Sequence, residues 1–168
     1  MHSHVPPPVP RHKHPAKPAR RRLAVALAAA CVGRFAWATD KPATPTLLAG
    51  AQVVDVAQAH ALLRQGQARF IDTRSALNFG KGHVPGAVSV AYKERSEYRP
   101  DFDATLDQFD LSALGPDRHQ VLVFYSDGPQ GWKSYKAAVL AVRAGYQRVH
   151  YLRSGWPAWA AAGLPVAR

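Results

Sequence analysis

One loop in the second half of the chain combines residue types that can bind an anion. It follows a nearly all-apolar run, Gln120 to Tyr125, and leads into a helical pattern from Trp132 to Ala144. Backbone N–H groups in such a loop can converge on an anion, and the positive end of the helix dipole adds to the attraction. Lys133 could add a point charge, whereas the carboxylate of Asp127 would repel the ligand. The loop consists of Ser126, Asp127, Gly128, Pro129, Gln130, Gly131, Trp132, Lys133 and Ser134.

The first residue of this loop stands where enzymes with this geometry place a nucleophile, because the helix dipole lowers the pKa of a thiol there. That residue is Ser126. A serine hydroxyl ionises far above any thiol, and it needs an adjacent base to act as a nucleophile. His83 and His150 are the candidate bases, but the sequence alone brings neither of them to Ser126. The sequence alone therefore does not establish Ser126 as a nucleophile.

Alternating strands and helices must position this loop. Apolar runs bounded by turn residues predict the strands, and apolar residues at helical spacing predict the helices. This alternation predicts an α/β fold with a parallel β-sheet, helices on both of its faces and right-handed crossovers. Residues 92–118 show no clear period. The predicted strands are 69–72, 87–90, 120–125 and 148–152, and the predicted helices follow Asp55 up to Gly66 and cover 132–144 and 156–162.

The first 38 residues predict an export signal. Arg20, Arg21 and Arg22 precede an apolar run, Leu23 to Gly33, which has the length of a signal's hydrophobic region and is too short to span a bilayer. Ala36-Trp37-Ala38 matches the small-x-small pattern of a signal peptidase site. We expect cleavage after Ala38 and a periplasmic protein that meets the membrane only during export. Anchoring by an uncleaved signal is the alternative.

Charge and cysteine usage exclude several classes of function. Of the 22 basic residues, seven lie in the leader, so 15 basic residues face 11 acidic ones in the remainder. This mild excess removes most of the support for nucleic-acid binding. The only cysteine, Cys31, lies in the predicted signal, so the cleaved protein would have no thiol for a disulfide or a persulfide. We expect no metal and no cofactor, since the histidines of residues 1–19 lie in a proline-rich segment without preformed geometry.

Four stretches of the chain resemble, in order, the single-domain rhodanese-like (sulfurtransferase) family. The resemblance covers Val53 to Val166 and implies a rhodanese-like domain over 53–166. Residues 39–52 are predicted to be a linker with little structure of its own, after the leader of residues 1–38. The matching stretches are Phe70-Ile71-Asp72-Thr73-Arg74, Gly82-His83-Val84-Pro85-Gly86-Ala87, Val121 to Ser134, and Leu152 to Trp159 running into Ala162-Gly163-Leu164-Pro165.

The chain departs from this family at the residue that performs the chemistry. In active relatives the first loop residue is a cysteine, which takes sulfane sulfur from thiosulfate as a persulfide and passes it to cyanide or a thiol. Ser126 stands at that position here. In an exported subgroup that the chain resembles, a second cysteine stands where this chain has Gly131. The segments that carry the subgroup resemblance are Ala91-Tyr92-Lys93-Glu94, Asp101-Phe102-Asp103 and Gly128 to Ala137.

A serine hydroxyl cannot hold a persulfide, so the resemblance combined with Ser126 predicts an inactive sulfurtransferase. We expect the loop to bind a small anion, a sulfur compound or a periplasmic partner protein. Sulfurtransferase chemistry by an unrecognised route is the alternative.

Supporting residues are predicted on either side of the loop. Asp72 and Arg74 are interpreted as an ion pair that fixes a strand to a helix, rather than as residues that orient the loop. His83 is interpreted as a turn residue with a satisfied hydrogen bond. Residues 93–95 are interpreted as a solvated charge run rather than as the mouth of a pocket. The tryptophans expected in the core are Trp132, Trp156 and Trp159.

Overall fold

The computed structural model describes residues 1–2 and 41–168. Residues 41–168 lie in one compact unit. The predicted signal, its cleavage site and Cys31 lie outside the described residues. No helix in the described part is long and apolar enough to cross a membrane.

A parallel sheet of five strands organises the domain and confirms the predicted α/β fold. The strand order is β1-β5-β4-β2-β3, which places β4 in the middle. Every named pair of strands is parallel, and Phe70 of β2 stands opposite Val123 of β4. The strands are β1 Ala51–Val54, β2 Ala68–Asp72, β3 Val88–Ser89, β4 Val121–Tyr125 and β5 Val149–Leu152.

The described residues contain four α-helices, and three of them are the predicted ones; α1, α2 and α3 connect strands, whereas α4 follows β5. The first begins at an N-cap, Asp55, whose side chain accepts from the Gln58 amide at 2.8 Å while the Gln58 side chain accepts from the Asp55 amide at 2.9 Å. This capping box gives α1 a defined start. Two 3₁₀ helices lie within residues 92–118, at Ala104–Leu106 and Leu111–Leu114. The α-helices are α1 Val56–Arg64, α2 Ala76–Lys81, α3 Trp132–Arg143 and α4 Gly155–Ala161.

Helix α2 was not predicted. It has only six residues and buries none of them, so it shows no apolar period. The Ser75 side chain accepts from the Asn78 amide and gives the helix its N-cap. A capping contact therefore starts a helix that no periodic pattern announces.

The core has two parts, one on each face of the sheet. All of β4 is buried, and its alternate residues contribute to opposite faces. Leu122 and Phe124 pack with α3, whereas Val123 and Tyr125 pack with residues of α1 and α4. Burial on both faces explains why this strand is apolar throughout, as a central parallel strand should be. The prediction of helices on both faces is confirmed.

The segment predicted as a linker is part of the folded domain where the structure describes it. Its last residues, Ala51 and Gln52, already belong to β1 and pair with β5. Further upstream, Thr44 and Leu48 are buried, and the Thr44 hydroxyl lies 2.9 Å from the hydroxyl of Tyr151. The prediction of little structure is therefore wrong for residues 41–52. We call residues 41–48 the arm.

Candidate functional site

The predicted loop lies at the carboxyl end of the central strand, where open α/β sheets bind ligands. It runs from Ser126, directly after β4, to Gly131, the N-cap of α3. No side chain caps α3, in contrast to α1. In the described part of the chain, the amides of Asp127, Gly128 and Gln130 donate to no acceptor. Asp127 and Gln130 are exposed near the start of α3, whereas Gly128 is buried against Gly155.

Two neighbouring segments hold the backbone of the loop. From the arm, the Thr44 amide and hydroxyl both donate to the carbonyl of Pro129, at 2.8 and 2.9 Å. The Trp132 indole donates to the arm at the Pro42 carbonyl, at 2.7 Å. From the start of α4, the Trp156 amide donates to the Ser126 carbonyl at 2.8 Å. The arm is thus a support of the loop that the sequence analysis missed.

Gly155 allows the start of α4 to approach the loop. Its φ is +62°, in the left-handed region that favours glycine. A Cβ there would lie 2.6 Å from the Gly128 amide nitrogen and closer still to the Ser126 carbonyl oxygen. Side-chain atoms essentially never approach backbone so closely, so this position accepts no larger residue without movement of the loop.

The substitution Gly155→Ala is expected to lower the free energy of unfolding by about 3 kcal/mol, because it adds left-handed strain and overpacking against the loop. The matched control is Gly163→Ala, which has a similar φ of +65° but nothing within 4 Å of the added Cβ. That variant should lose only about 1 kcal/mol. Urea denaturation measures both. Equal losses would show that the loop yields freely to the added methyl group.

The Ser126 side chain is buried and makes hydrogen-bond contacts within the loop. The residue is 1% exposed, and its hydroxyl donates to the Gly131 carbonyl at 3.0 Å. It also lies 2.8 Å from the hydroxyl of Ser134, which in turn donates to the same carbonyl at 3.1 Å. The hydroxyl is therefore held by neutral neighbours rather than by a base.

Neither candidate base contacts Ser126. The Nδ1 atom of His83 faces the Phe79 carbonyl at 3.0 Å, and its ring stacks on the Phe79 ring. His150 lies within β5, opposite Gln52 and Val123. The described residues thus offer no Ser/His pair at this loop, and His83 has the local hydrogen bond expected of a turn residue.

Gly131 leaves no room for the second cysteine of the exported subgroup. A Cβ at this position would lie 2.8 Å from the Gly128 carbonyl oxygen and closer still to the Ser126 hydroxyl. The present loop conformation therefore requires glycine at 131.

Asp72 and Arg74 form a buried ion pair at the end of β2. The guanidinium donates to both carboxylate oxygens, with a shortest distance of 2.6 Å, and to the Gly82 carbonyl at 2.7 Å. Burial would lower the pKa of Arg74, but the contact with Asp72 raises it above its ordinary value. The guanidinium also lies over the Trp156 ring. Because Gly82 ends α2, this pair ties that helix to the sheet, and it makes no hydrogen bond to the loop.

Two adjoining cavities open at the mouth of the loop. The smaller, ≈ 230 Å³, is lined by Lys41, Glu94, Asp127 and Lys133 together with the end of the loop. The larger, ≈ 570 Å³, shares Glu94 and Lys133 and is also lined by Tyr98. Lys133 thus lines both cavities beside the loop, where its positive charge could attract a negative ligand.

Glu94 departs from the solvated charge run predicted for residues 93–95. Lys93 and Arg95 are exposed, but the Glu94 side chain is only 9% exposed and forms an ion pair with Lys41 at 2.5 Å. Burial would lower the pKa of Lys41, but its contacts with Glu94 and Tyr98 raise it above its ordinary value. The available signal was the resemblance of Ala91-Tyr92-Lys93-Glu94 to the exported subgroup.

A buried polar network supports the segment that carries Glu94. The carboxylate of Asp107 accepts from the Tyr92 hydroxyl at 2.7 Å and from the amides of Arg95 and Ser96 at 2.6 and 2.7 Å. The Ser96 hydroxyl also donates to it, at 2.6 Å. Lys136 of α3, fully buried, donates to the Ser96 carbonyl and hydroxyl and lies 3.6 Å from Asp107. The network fixes residues 92–96 against the helix that begins at the loop.

Comparison with known proteins agrees with this geometry. The profile of the rhodanese-like domain family matches residues 55–162. Thiosulfate sulfurtransferase 16, chloroplastic, from Arabidopsis thaliana is 34% identical over 117 residues, which cover 67% of this chain and 90% of that protein. Thiosulfate sulfurtransferase from Azotobacter vinelandii is 31% identical over 121 residues, but these cover 69% of this chain and only 44% of that protein.

Solved structures show the same fold. The BH2092 protein from Bacillus halodurans superposes with a TM-score of 0.53 at 20% identity, over 70% of this chain and 77% of that one. Thiosulfate sulfurtransferase from Pseudomonas aeruginosa gives a TM-score of 0.51 at 21% identity, over 70% of this chain and 20% of that one. The chain belongs to the rhodanese-like domain family. The described residues form one domain of this family, and the chain has sulfurtransferase homologues.

Proposed function

We propose that this protein is a catalytically inactive sulfurtransferase homologue that binds a small anion or sulfur compound through the loop Ser126–Ser134. One observation carries the proposal: the hydroxyl at the nucleophile position is held between Ser134 and the Gly131 carbonyl, at 2.8 and 3.0 Å. A hydroxyl cannot form the persulfide that sulfur transfer needs, and none of the described residues is placed to activate it.

The binding half of the proposal rests on the remainder of the loop. Free amides at the uncapped start of α3 and the ammonium of Lys133 together favour a negative ligand. The carboxylates of Asp127 and Glu94 also line the mouth, so the local charge is mixed rather than strongly positive. A mixed mouth favours a small ligand with defined polar groups over a polyanion.

The proposal includes export to the periplasm, on the basis of the basic and apolar leader and the Ala36-Trp37-Ala38 sequence. There the loop would meet a small anion, a sulfur compound or the exposed group of a partner protein. Lack of a thiol after Ala38 would also protect the domain from oxidation in that compartment.

Thiosulfate is the probe that tests both halves of the proposal. Residues 39–168 contain every strand that the structure describes and both parts of the core, so this segment is suited to the experiment. We expect NMR titration to show thiosulfate bound at the loop, with no thiocyanate formed from cyanide above the no-enzyme background. Lys133→Gln should weaken binding about tenfold, equivalent to about 1.4 kcal/mol. Lys81→Gln, an exposed lysine at the end of α2, is the matched control.

Two outcomes would contradict the proposal. Turnover clearly above background would favour sulfur transfer by an unrecognised route. Shifts scattered over the surface, or equal weakening by Lys133→Gln and Lys81→Gln, would show that the loop is not an anion site.

A further inference from the structure

Glu94 presents a buried acceptor that none of the described residues satisfies. Its Oε1 atom pairs with Lys41 at 2.5 Å, whereas Oε2 is buried and receives no hydrogen bond from the described part of the chain. The side chain is 9% exposed. A buried acceptor without a donor costs about 1–3 kcal/mol, so a ligand that supplies a donor recovers this free energy.

The position of Glu94 connects this acceptor to the loop. Glu94 lines both cavities at the mouth, and so does Lys133. One wall thus carries Lys133 beside the loop, and another carries Glu94, whose unused Oε2 is buried and becomes accessible only when the side chain or Lys41 moves. A ligand that reaches both walls would place a negative group at the loop and a donor at Glu94.

The contact with Lys41 does not remove this acceptor capacity. A carboxylate has two oxygens and about four lone-pair sites, and Lys41 occupies only one oxygen. Because its contacts raise the pKa of Lys41 above its ordinary value despite burial, Lys41 stays charged at neutral pH and holds Oε1. A donor that reaches Oε2 therefore replaces no existing contact of the carboxylate.

We propose that the site selects a small zwitterion, with an anionic head group bound by the loop amides and Lys133 and an ammonium group bound by Glu94. This inference rests on the proposed anion-binding function and adds the class of ligand. It assigns to Glu94 a specificity role, since a bare anion gains nothing from a carboxylate in the wall.

Three probes of similar size separate the two contacts. Taurine carries a sulfonate and an ammonium, ethanesulfonate carries only the sulfonate, and ethylamine carries only the ammonium. On residues 39–168 at pH 7, calorimetric or NMR titration should show taurine binding at least about tenfold more tightly than ethanesulfonate, as expected for a hydrogen bond to a charged group. Ethylamine alone should bind more weakly than taurine.

Glu94→Gln, which is close in shape, should abolish the preference for taurine. This variant should bind ethanesulfonate as tightly as native protein does or more tightly, because a negative charge has been removed from the mouth. Its binding of ethanesulfonate also shows that the loop is folded. The matched control is Glu97→Gln, an exposed glutamate with a 76% exposed side chain, which should keep the preference.

The outcomes distinguish the inference from the function on which it rests. If native protein binds taurine and ethanesulfonate equally, or if Glu94→Gln keeps the preference, the zwitterion inference is wrong while the anion site stands. If neither sulfonate nor thiosulfate binds at the loop, the proposed function fails and the inference fails with it.

Discussion

Ser126→Cys is expected to confer thiosulfate:cyanide sulfurtransferase activity, with turnover at least about 100-fold above that of the native protein. The side chain at 126 follows the central strand and faces the uncapped start of α3. A thiol placed there has a lowered pKa, because the nearby amides and helix dipole stabilise the thiolate. The substitution replaces one oxygen by sulfur and changes no other atom of the loop.

The restored reaction needs only groups that the variant and its substrates supply. The thiolate attacks the sulfane sulfur of thiosulfate, the sulfur–sulfur bond of thiosulfate breaks, and sulfite leaves with the electron pair. Cyanide then attacks the terminal sulfur of the persulfide, which forms thiocyanate and returns the thiolate. Under the proposed function, Lys133 and the loop amides would bind the thiosulfate dianion during the first step.

The controls separate the position of the thiol from its mere presence. Ser126→Ala should stay at background. Ser112→Cys places an exposed thiol in the second 3₁₀ helix, and its activity should also stay at background. This helix is tied to the start of β2, because the Ala113 carbonyl accepts a hydrogen bond from Arg69. If Ser112→Cys equals Ser126→Cys, the loop contributes nothing. If Ser126→Cys is folded and silent, serine is not the only obstacle to activity.

A second cysteine should not add to this activity. In the present loop a side chain at Gly131 would crowd both residue 126 and the Gly128 carbonyl. We therefore expect Ser126→Cys combined with Gly131→Cys to be less stable than Ser126→Cys alone and no faster. Residues 126 and 131 are thus coupled through the packing inside one short loop.

Local patterns were sufficient to predict the framework of the fold. The alternation of β4 residues between the two core faces makes this strand continuously apolar, and that run is visible in the sequence. The capping residues Asp55 and Gln58 lie three positions apart and mark the start of α1 directly. Because the carboxyl end of such a strand is where ligands bind, the loop could be placed as well.

Contacts between distant parts of the chain account for what sequence patterns did not predict. The arm contains Pro42 and Pro45 and shows no period of its own, yet Thr44 bonds to Pro129 across 85 positions of the chain. Helix α2 depends on the Ser75 cap and on the bond from Arg74 to its last turn. Such structure is determined by the partner rather than by the local sequence.

The environment of the charged residues was also beyond local prediction. Lysine, glutamate and aspartate lie in solvent by default, so Glu94 and Lys136 carry no sign of burial in their own sequence context. Their burial depends on partners elsewhere, Lys41 for the first and the Asp107 network for the second. The loop with Lys133 was therefore singled out from the sequence, whereas the burial of Glu94 was not predicted.

Asp107→Ala is expected to lower the free energy of unfolding by about 4 kcal/mol. The carboxylate accepts four hydrogen bonds, from Tyr92, the Arg95 amide and the amide and hydroxyl of Ser96. Its removal leaves these donors, and the fully buried ammonium of Lys136, without their acceptor. Breaking one side of a buried charged network typically costs about 3–5 kcal/mol. Chemical denaturation at pH 7 measures the loss.

The pH dependence provides a second measurement of the same network. Burial would raise the pKa of Asp107, but hydrogen bonds from Ser96, Arg95 and Tyr92 lower it to about 2. A carboxyl with a depressed folded pKa contributes stability that is present above its unfolded pKa of about 3.9 and is lost as the pH falls. Native protein should therefore lose stability between about pH 4 and pH 2, and Asp107→Ala should flatten this part of the curve.

Lys136→Met distinguishes which interaction matters in the network. Burial lowers the pKa of Lys136, so its charge is costly there even though Asp107 and Glu94 oppose the shift. After this substitution Asp107 still has its four hydrogen bonds, and we expect a loss of only about 1–2 kcal/mol. Asp103→Ala, at an exposed aspartate that caps the first 3₁₀ helix, should cost no more than about 1 kcal/mol. If Lys136→Met costs as much as Asp107→Ala, charge attraction rather than hydrogen bonding holds residues 92–96, and with them Glu94, at the mouth of the loop.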